Sequence, residues 1–71
     1  MMLYKAEQCA PCARLGEYIK DNGINIPTTQ LSFEALRAGE YPFRTVPSLV
    51  LDDDTVISGF PQIRLWLSKR V

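Results

Sequence analysis

Met2-Leu3-Tyr4-Lys5-Ala6-Glu7-Gln8-Cys9-Ala10-Pro11-Cys12 is the stretch that decides the fold. It opens on a short apolar run and closes on two cysteines, three residues apart, where a helical pattern begins. Residues i and i+3 share a face of a helix, so the two thiols lie together. That spacing suits a reversible disulfide, provided the Cα atoms come within about 4.4–6.8 Å. The order strand, Cys-x-x-Cys, helix points to redox chemistry.

Working outward, residues 2–5 form a short buried strand. Leu15, Tyr18 and Ile19 keep the i, i+3, i+4 spacing of a helix over residues 11–22. Pro11 is tolerated in its first turn, where its missing N–H has no helical partner, and Gly23 is a helix stop. Residues 24–31 alternate through Ile24, Ile26 and Thr28, which suggests a second strand. Pro27 inside it cannot donate to a ladder, so this strand belongs at a sheet edge. Ser32 caps a short helix reaching about Ala38, Gly39 ends it, and residues 40–46 connect onward.

Ser48-Leu49-Val50-Leu51 and Thr55-Val56-Ile57-Ser58 are apolar runs separated by Asp52-Asp53-Asp54, the pattern of a β-hairpin with a solvated turn. Gly59 breaks the second run, and Pro61 opens a final helix with Ile63, Trp66 and Leu67 on one face. Arg64, Lys69 and Arg70 follow toward its C-terminal end, where the helix dipole favours cations. The element order is β-α-β-α-β-β-α. The first two strands are parallel with a right-handed crossover, and the hairpin adds antiparallel to the first strand. The expected architecture is α/β, with a four-stranded mixed sheet in the order 2-1-3-4 flanked by helices.

The 71 residues show no composition break, so residues 1–71 read as one domain. Eight basic and eight acidic residues give a formal net charge of zero. That is not the basic footprint of a nucleic-acid binder. No apolar run approaches the roughly 18 residues of a transmembrane helix, and residues 1–9 lack the charged and apolar regions of a secretory signal. The expected location is the cytoplasm, where disulfides are usually transient and catalytic. A purely structural staple is the competing account of Cys9–Cys12, but closing so short a loop stabilises by only roughly 2 kcal/mol.

The chain has no histidine, which excludes a Cys-His hydrolase. A structural zinc site usually needs four protein ligands. Two thiols therefore hold a metal or an iron–sulfur cluster only if a dimer brings four cysteines together; this dimeric binding module is the alternative to a dithiol enzyme. Trp66 reads as core packing. Tyr41 and Phe43 either form an exposed docking patch or cover the sheet.

Cys-x-x-Cys after the first strand, Thr45-Val46-Pro47 before the hairpin and Gly59 after the last strand together resemble the glutaredoxin family of the thioredoxin fold. The resemblance spans essentially the whole chain. Ser58-Gly59-Phe60 is similar to the Ser-Gly-Phe of NrdH-type redoxins, which reduce ribonucleotide reductase. Gly59-Phe60-Pro61-Gln62-Ile63-Arg64 looks like the tail of phage-encoded glutaredoxins, which would place the chain in a host cytoplasm.

The resemblance implies a monomeric thiol–disulfide oxidoreductase that binds no resident cofactor and reduces protein disulfides, those of a ribonucleotide reductase among them. Its reductant would be a thioredoxin reductase or glutathione. Catalysis would fall to Cys9 and Cys12, and substrate binding to Thr45, Val46, Pro47, Ser58 and Gly59. It also implies a cis Val46–Pro47 bond facing the cysteines, with Val46 pairing its backbone to an extended substrate segment.

Three departures stand out. Ala10-Pro11 places proline third in the motif, as thioredoxins do. Ser58-Gly59-Phe60-Pro61-Gln62 lacks the acidic residue with which glutathione-binding members hold the glutathione amino group. The basic residue that often stands three positions before the first cysteine is Ala6 here, with Lys5 one step further off. The last two count against glutathione as reductant.

The thiolate is the attacking species, and a free cysteine, with a pKa of about 8.5, is only ~3% ionised at pH 7. Lowering that value to about 7 needs roughly 2 kcal/mol in favour of the anion. An exposed helix N-terminus supplies typically 0.3–1 kcal/mol. The rest must come from hydrogen bonds to the sulfur, from first-turn N–H groups and the Cys12 thiol. Cys9 precedes the helix and is expected to attack. Cys12, inside the first turn and more buried, is expected to resolve the mixed disulfide. Lys5 is either a helper cation or a solvated strand-end charge.

Overall fold

The computed structural model describes residues 1–70. Its elements are β1 (Met2–Ala6), α1 (Ala10–Asp21), β2 (Thr28–Leu31), α2 (Phe33–Arg37), β3 (Ser48–Val50), β4 (Val56–Ser58) and α3 (Phe60–Arg70). The sheet has the order β2-β1-β3-β4, with β1 parallel to β2 and antiparallel to β3. This is the α/β arrangement that the sequence pattern predicts.

Alternation along the strands sorts the side chains into two layers, because successive residues of a strand point to opposite faces. Leu3, Leu49 and the half-buried Ile57 join Leu15 of α1 and Ile63 and Leu67 of α3 in one cluster. Leu15, Leu49 and Ile63 are fully buried. Trp66 packs against this cluster, as expected. On the opposite face Ala6, Leu31, Leu36 of α2 and Phe43 form a second cluster with Tyr4, Val46 and Val50 packed against it. Tyr4, Tyr41 and Phe43 pack with ring centroids 5.5, 5.1 and 5.4 Å apart, at spacings suited to tilted or stacked aromatic contact. Phe43 is only 5% exposed. Tyr41 and Phe43 therefore cover the sheet.

The second strand is shorter than its alternation suggests. β2 starts at Thr28, not at residue 24. The Ile24 N–H donates to the Ile19 carbonyl at 3.0 Å, extending the helix stop, while Ile26 turns into the core. Pro27 lies just outside the strand and contributes only its carbonyl, which accepts from the Leu3 N–H at 2.9 Å. The edge position of β2 holds. Smaller shifts occur elsewhere: α1 begins at Ala10, α3 begins one residue before Pro61, and both hairpin strands lose a residue next to the turn. In that turn Leu51 donates to the Thr55 carbonyl at 2.9 Å, and Asp52, Asp53 and Asp54 are exposed. Arg64 lies over the Tyr18 ring at 5.8 Å, tying α3 to α1.

Candidate functional site

Cys9 is the N-cap of α1. Its backbone is extended (φ −113°, ψ 105°), and its carbonyl accepts from the Ala13 N–H at 3.0 Å. An N-cap side chain normally offers an oxygen to a first-turn amide. Here sulfur takes that place, and the Cys12 N–H donates to Cys9 Sγ at 3.2 Å. Gln8, just before it, has φ 55°, a left-handed value uncommon for a residue with a side chain. That bend carries the chain from β1 into α1 and swings Cys9 to the helix start.

Cys9 and Cys12 are joined by a disulfide, with Cα atoms 5.2 Å apart. Their environments differ as expected: Cys12 is 6% exposed, whereas Cys9 is half-buried at the rim. The cap amide that meets Cys9 Sγ in the disulfide is equally placed to meet a thiolate after reduction. A sulfur anion there would also face the positive end of the α1 dipole.

The Val46–Pro47 peptide bond is cis, and the Val46 carbonyl oxygen lies 3.8 Å from Cys9 Sγ. In the disulfide that sulfur carries no proton; in the dithiol its S–H has an acceptor there. Two ties fasten this loop to the sheet. The fully buried Ser48 donates from Oγ to the Thr45 carbonyl at 2.6 Å and shares a 3.0 Å hydrogen bond with Ser58 Oγ. The Gly59 N–H donates to the Pro47 carbonyl at 3.0 Å.

Of the residues expected around the cysteines, Thr45 and Val46 line a groove of about 580 Å³ together with Cys9. Val46, Pro47 and Gly59 line a neighbouring one with Pro11. Ser58 lines neither; its hydroxyl faces Ser48 and anchors the loop from behind. Lys5 is exposed and shares a third concavity with Cys9, Cys12 and Lys20.

Sequence reasoning did not single out Gln8, Phe33, Arg37, Arg44 or Ser48. Arg44 abuts Thr45-Val46-Pro47 and was open to detection by adjacency. Phe33 and Arg37 come in only because α2 folds over the Cys9 end of the sheet, which no local pattern announces. Compared with protein-family models, curated proteins and solved structures, the chain gave no match in any of the three.

Proposed function

We propose that this chain is a small thiol–disulfide oxidoreductase of thioredoxin-like fold, related in mechanism to the glutaredoxins. It reduces protein disulfides in the cytoplasm as a monomer, with ribonucleotide reductase as the expected target. The observation that carries the reading is one constellation: Cys9 Sγ at the α1 N-cap, 3.2 Å from the Cys12 amide and 3.8 Å from the Val46 carbonyl, on the wall of a groove. A structural staple would not need a half-exposed sulfur at a helix N-terminus next to an open groove.

In the reduced protein the Cys9 thiolate attacks one sulfur of a substrate disulfide. A Cys9–substrate disulfide forms as the substrate S–S bond breaks, and the first substrate sulfur leaves as a thiolate. Cys12, deprotonated, then attacks Cys9 Sγ; the Cys9–Cys12 disulfide forms and the second substrate thiolate departs. Two electrons pass to the substrate, and the two protons shed by Cys9 and Cys12 balance those taken up by the leaving thiolates. The cycle closes when an external reductant, a flavoprotein thioredoxin reductase or glutathione, returns two electrons and two protons.

Reduction of insulin, followed by precipitation of its free chains with a dithiol as electron source, tests the reading directly. The wild-type chain should accelerate precipitation well beyond the Cys9→Ser variant. Equal rates would overturn the proposal. Supplying glutathione alone, or a thioredoxin reductase with its nicotinamide donor, then identifies the reductant.

A further inference from the structure

The formal charges of this chain sum to zero, yet they are unevenly placed around the sheet. Asp52, Asp53 and Asp54 occupy the turn between β3 and β4. The register Met2↔Val50 and Tyr4↔Ser48 puts that turn at the Met2 end of β1, the end away from Cys9. On the Val46 side of Cys9 the balance is reversed, whereas Glu17 and Glu7 line the concavities on its other side. The groove shared by Cys9, Phe33 and Val46 has Arg37 and Arg44 as its charged side chains. The adjoining groove, of about 560 Å³ between Pro11, Val46 and Phe60, has Arg14. Among the described residues no carboxylate lines either one. Glu34 and Glu40 are near in sequence to Arg37 and Arg44, yet they line neither groove.

All three arginines are exposed. Among the described residues none of them enters an ion pair; the pair that is present joins the Met1 amino group to Asp52. An arginine held at a groove wall without an internal partner keeps its forked N–H donors for a carboxylate from outside. Phe33, 47% exposed, adds an apolar surface to the same wall.

We propose that these grooves select the substrate by charge: the segment presenting the disulfide to Cys9 is acidic. This rests on the oxidoreductase reading above. An extended chain crossing Val46 meets Arg37 and Arg44 on one side and Arg14 on the other, so carboxylates flanking its cysteine find a partner in either direction. Opposite potentials across such a contact mainly raise the encounter rate, and salt weakens them.

The test uses two short peptides, each with one intramolecular disulfide, identical except for Glu or Gln beside the cysteines. Each is mixed with pre-reduced protein in a single turnover, quenched with acid and resolved by mass. The Glu peptide should react roughly three- to tenfold faster at low salt, as two or three exposed ion pairs allow, and the advantage should shrink at high salt. The double variant Arg37→Gln/Arg44→Gln should lose most of the preference. Lys69→Gln carries a single charge change of the same kind, nine residues along α3 from Phe60 and so roughly 13 Å down its axis; it should keep the preference.

Equal rates for the two peptides, a preference unmoved by salt, or one lost as fully in Lys69→Gln as in the double variant would overturn this inference and leave the oxidoreductase standing. Should the double variant fail to fold, the salt dependence of the wild-type preference decides alone. If neither peptide is reduced, the oxidoreductase reading itself fails and takes this one with it.

Discussion

The Cys12 amide donates to Cys9 Sγ at 3.2 Å, so one sulfur both caps α1 and is the partly exposed member of the Cys9–Cys12 pair. A capping interaction favours whatever carries negative charge at the helix start. On the proposed reading, reducing the disulfide would leave the Cys9 thiolate beside a backbone amide. Cys12, only 6% exposed, supplies that amide, and its Cα lies 5.2 Å from that of Cys9.

On the proposed oxidoreductase reading, this asymmetry assigns the intermolecular bond to Cys9. Cys12→Ser incubated with a disulfide substrate should accumulate a covalent adduct visible on a non-reducing gel. Cys9→Ser should give none. Trapping by the opposite variant would exchange the two roles.

Ser48 holds the Val46–Pro47 loop from beneath through Thr45 and Ser58. Ser48→Ala leaves the Thr45 carbonyl and the Ser58 hydroxyl without that partner, which should cost about 1–3 kcal/mol in urea unfolding. The Gly59 amide, bonded to Pro47, should then exchange with solvent faster. Unchanged stability would mean that the loop is held by its packing alone.

Gly59 has φ 92°, a region that residues with a Cβ rarely adopt. The nearest atom to an added Cβ is Pro61 Cδ at 4.0 Å, so space is not the obstacle. Gly59→Ala should destabilise through its backbone by about 1–3 kcal/mol, read as a lower Tm. An unchanged Tm would show that the β4–α3 junction relaxes freely.

Leu49 is fully buried between the sheet and the α1–α3 layer, whereas Leu65 is 52% exposed on α3. Leu49→Ala should lose about 2–5 kcal/mol, a large share of the 5–15 kcal/mol typical of a domain. Leu65→Ala should stay within about 0.5 kcal/mol of wild type. Similar costs at both sites would contradict the layer assignment.

Asp53 accepts hydrogen bonds from Thr55, one of them from its N–H at 3.1 Å, and these hold its carboxyl below the ordinary value of 3.8. A depressed carboxyl stabilises the folded state above its unfolded value, and that contribution is lost as pH falls through the folded one. Carbon NMR should give an Asp53 midpoint under 3.8 that rises in Thr55→Val. A midpoint unmoved by the substitution would remove the Thr55 hydroxyl as a cause and leave its N–H.

Much of the architecture was legible because its signals are local. Leu15, Tyr18 and Ile19 mark the inner side of α1, Ser32 caps α2 through the Ala35 N–H at 3.1 Å, and Asp52-Asp53-Asp54 turns the hairpin. Pro27 showed the limit of such reading. Its edge meaning was correct, but alternation through Ile24 and Ile26 imitated a strand where the chain is really leaving a helix stop and burying Ile26. Tyr41 and Phe43 were undecidable for a related reason: two aromatics in a loop carry no period, and only Tyr4 on the facing strand shows where they pack.

By itself the sequence determined the order of elements, the edge position of β2 and the placing of Cys9 at the start of α1. Periods of 3.6 and 2, with glycine and proline as punctuation, act over a few neighbouring residues and need no distant partner. That Val46 faces Cys9 across 37 positions of chain was implied only by the resemblance, and the tertiary structure supplied the 3.8 Å contact. It alone brought Arg37, Arg44 and Arg14 to the grooves beside Cys9, with Asp52, Asp53 and Asp54 at the far end. Such proximities follow from strand register and from helices folding over particular ends of a sheet, which are properties of the assembled layers and of no single segment.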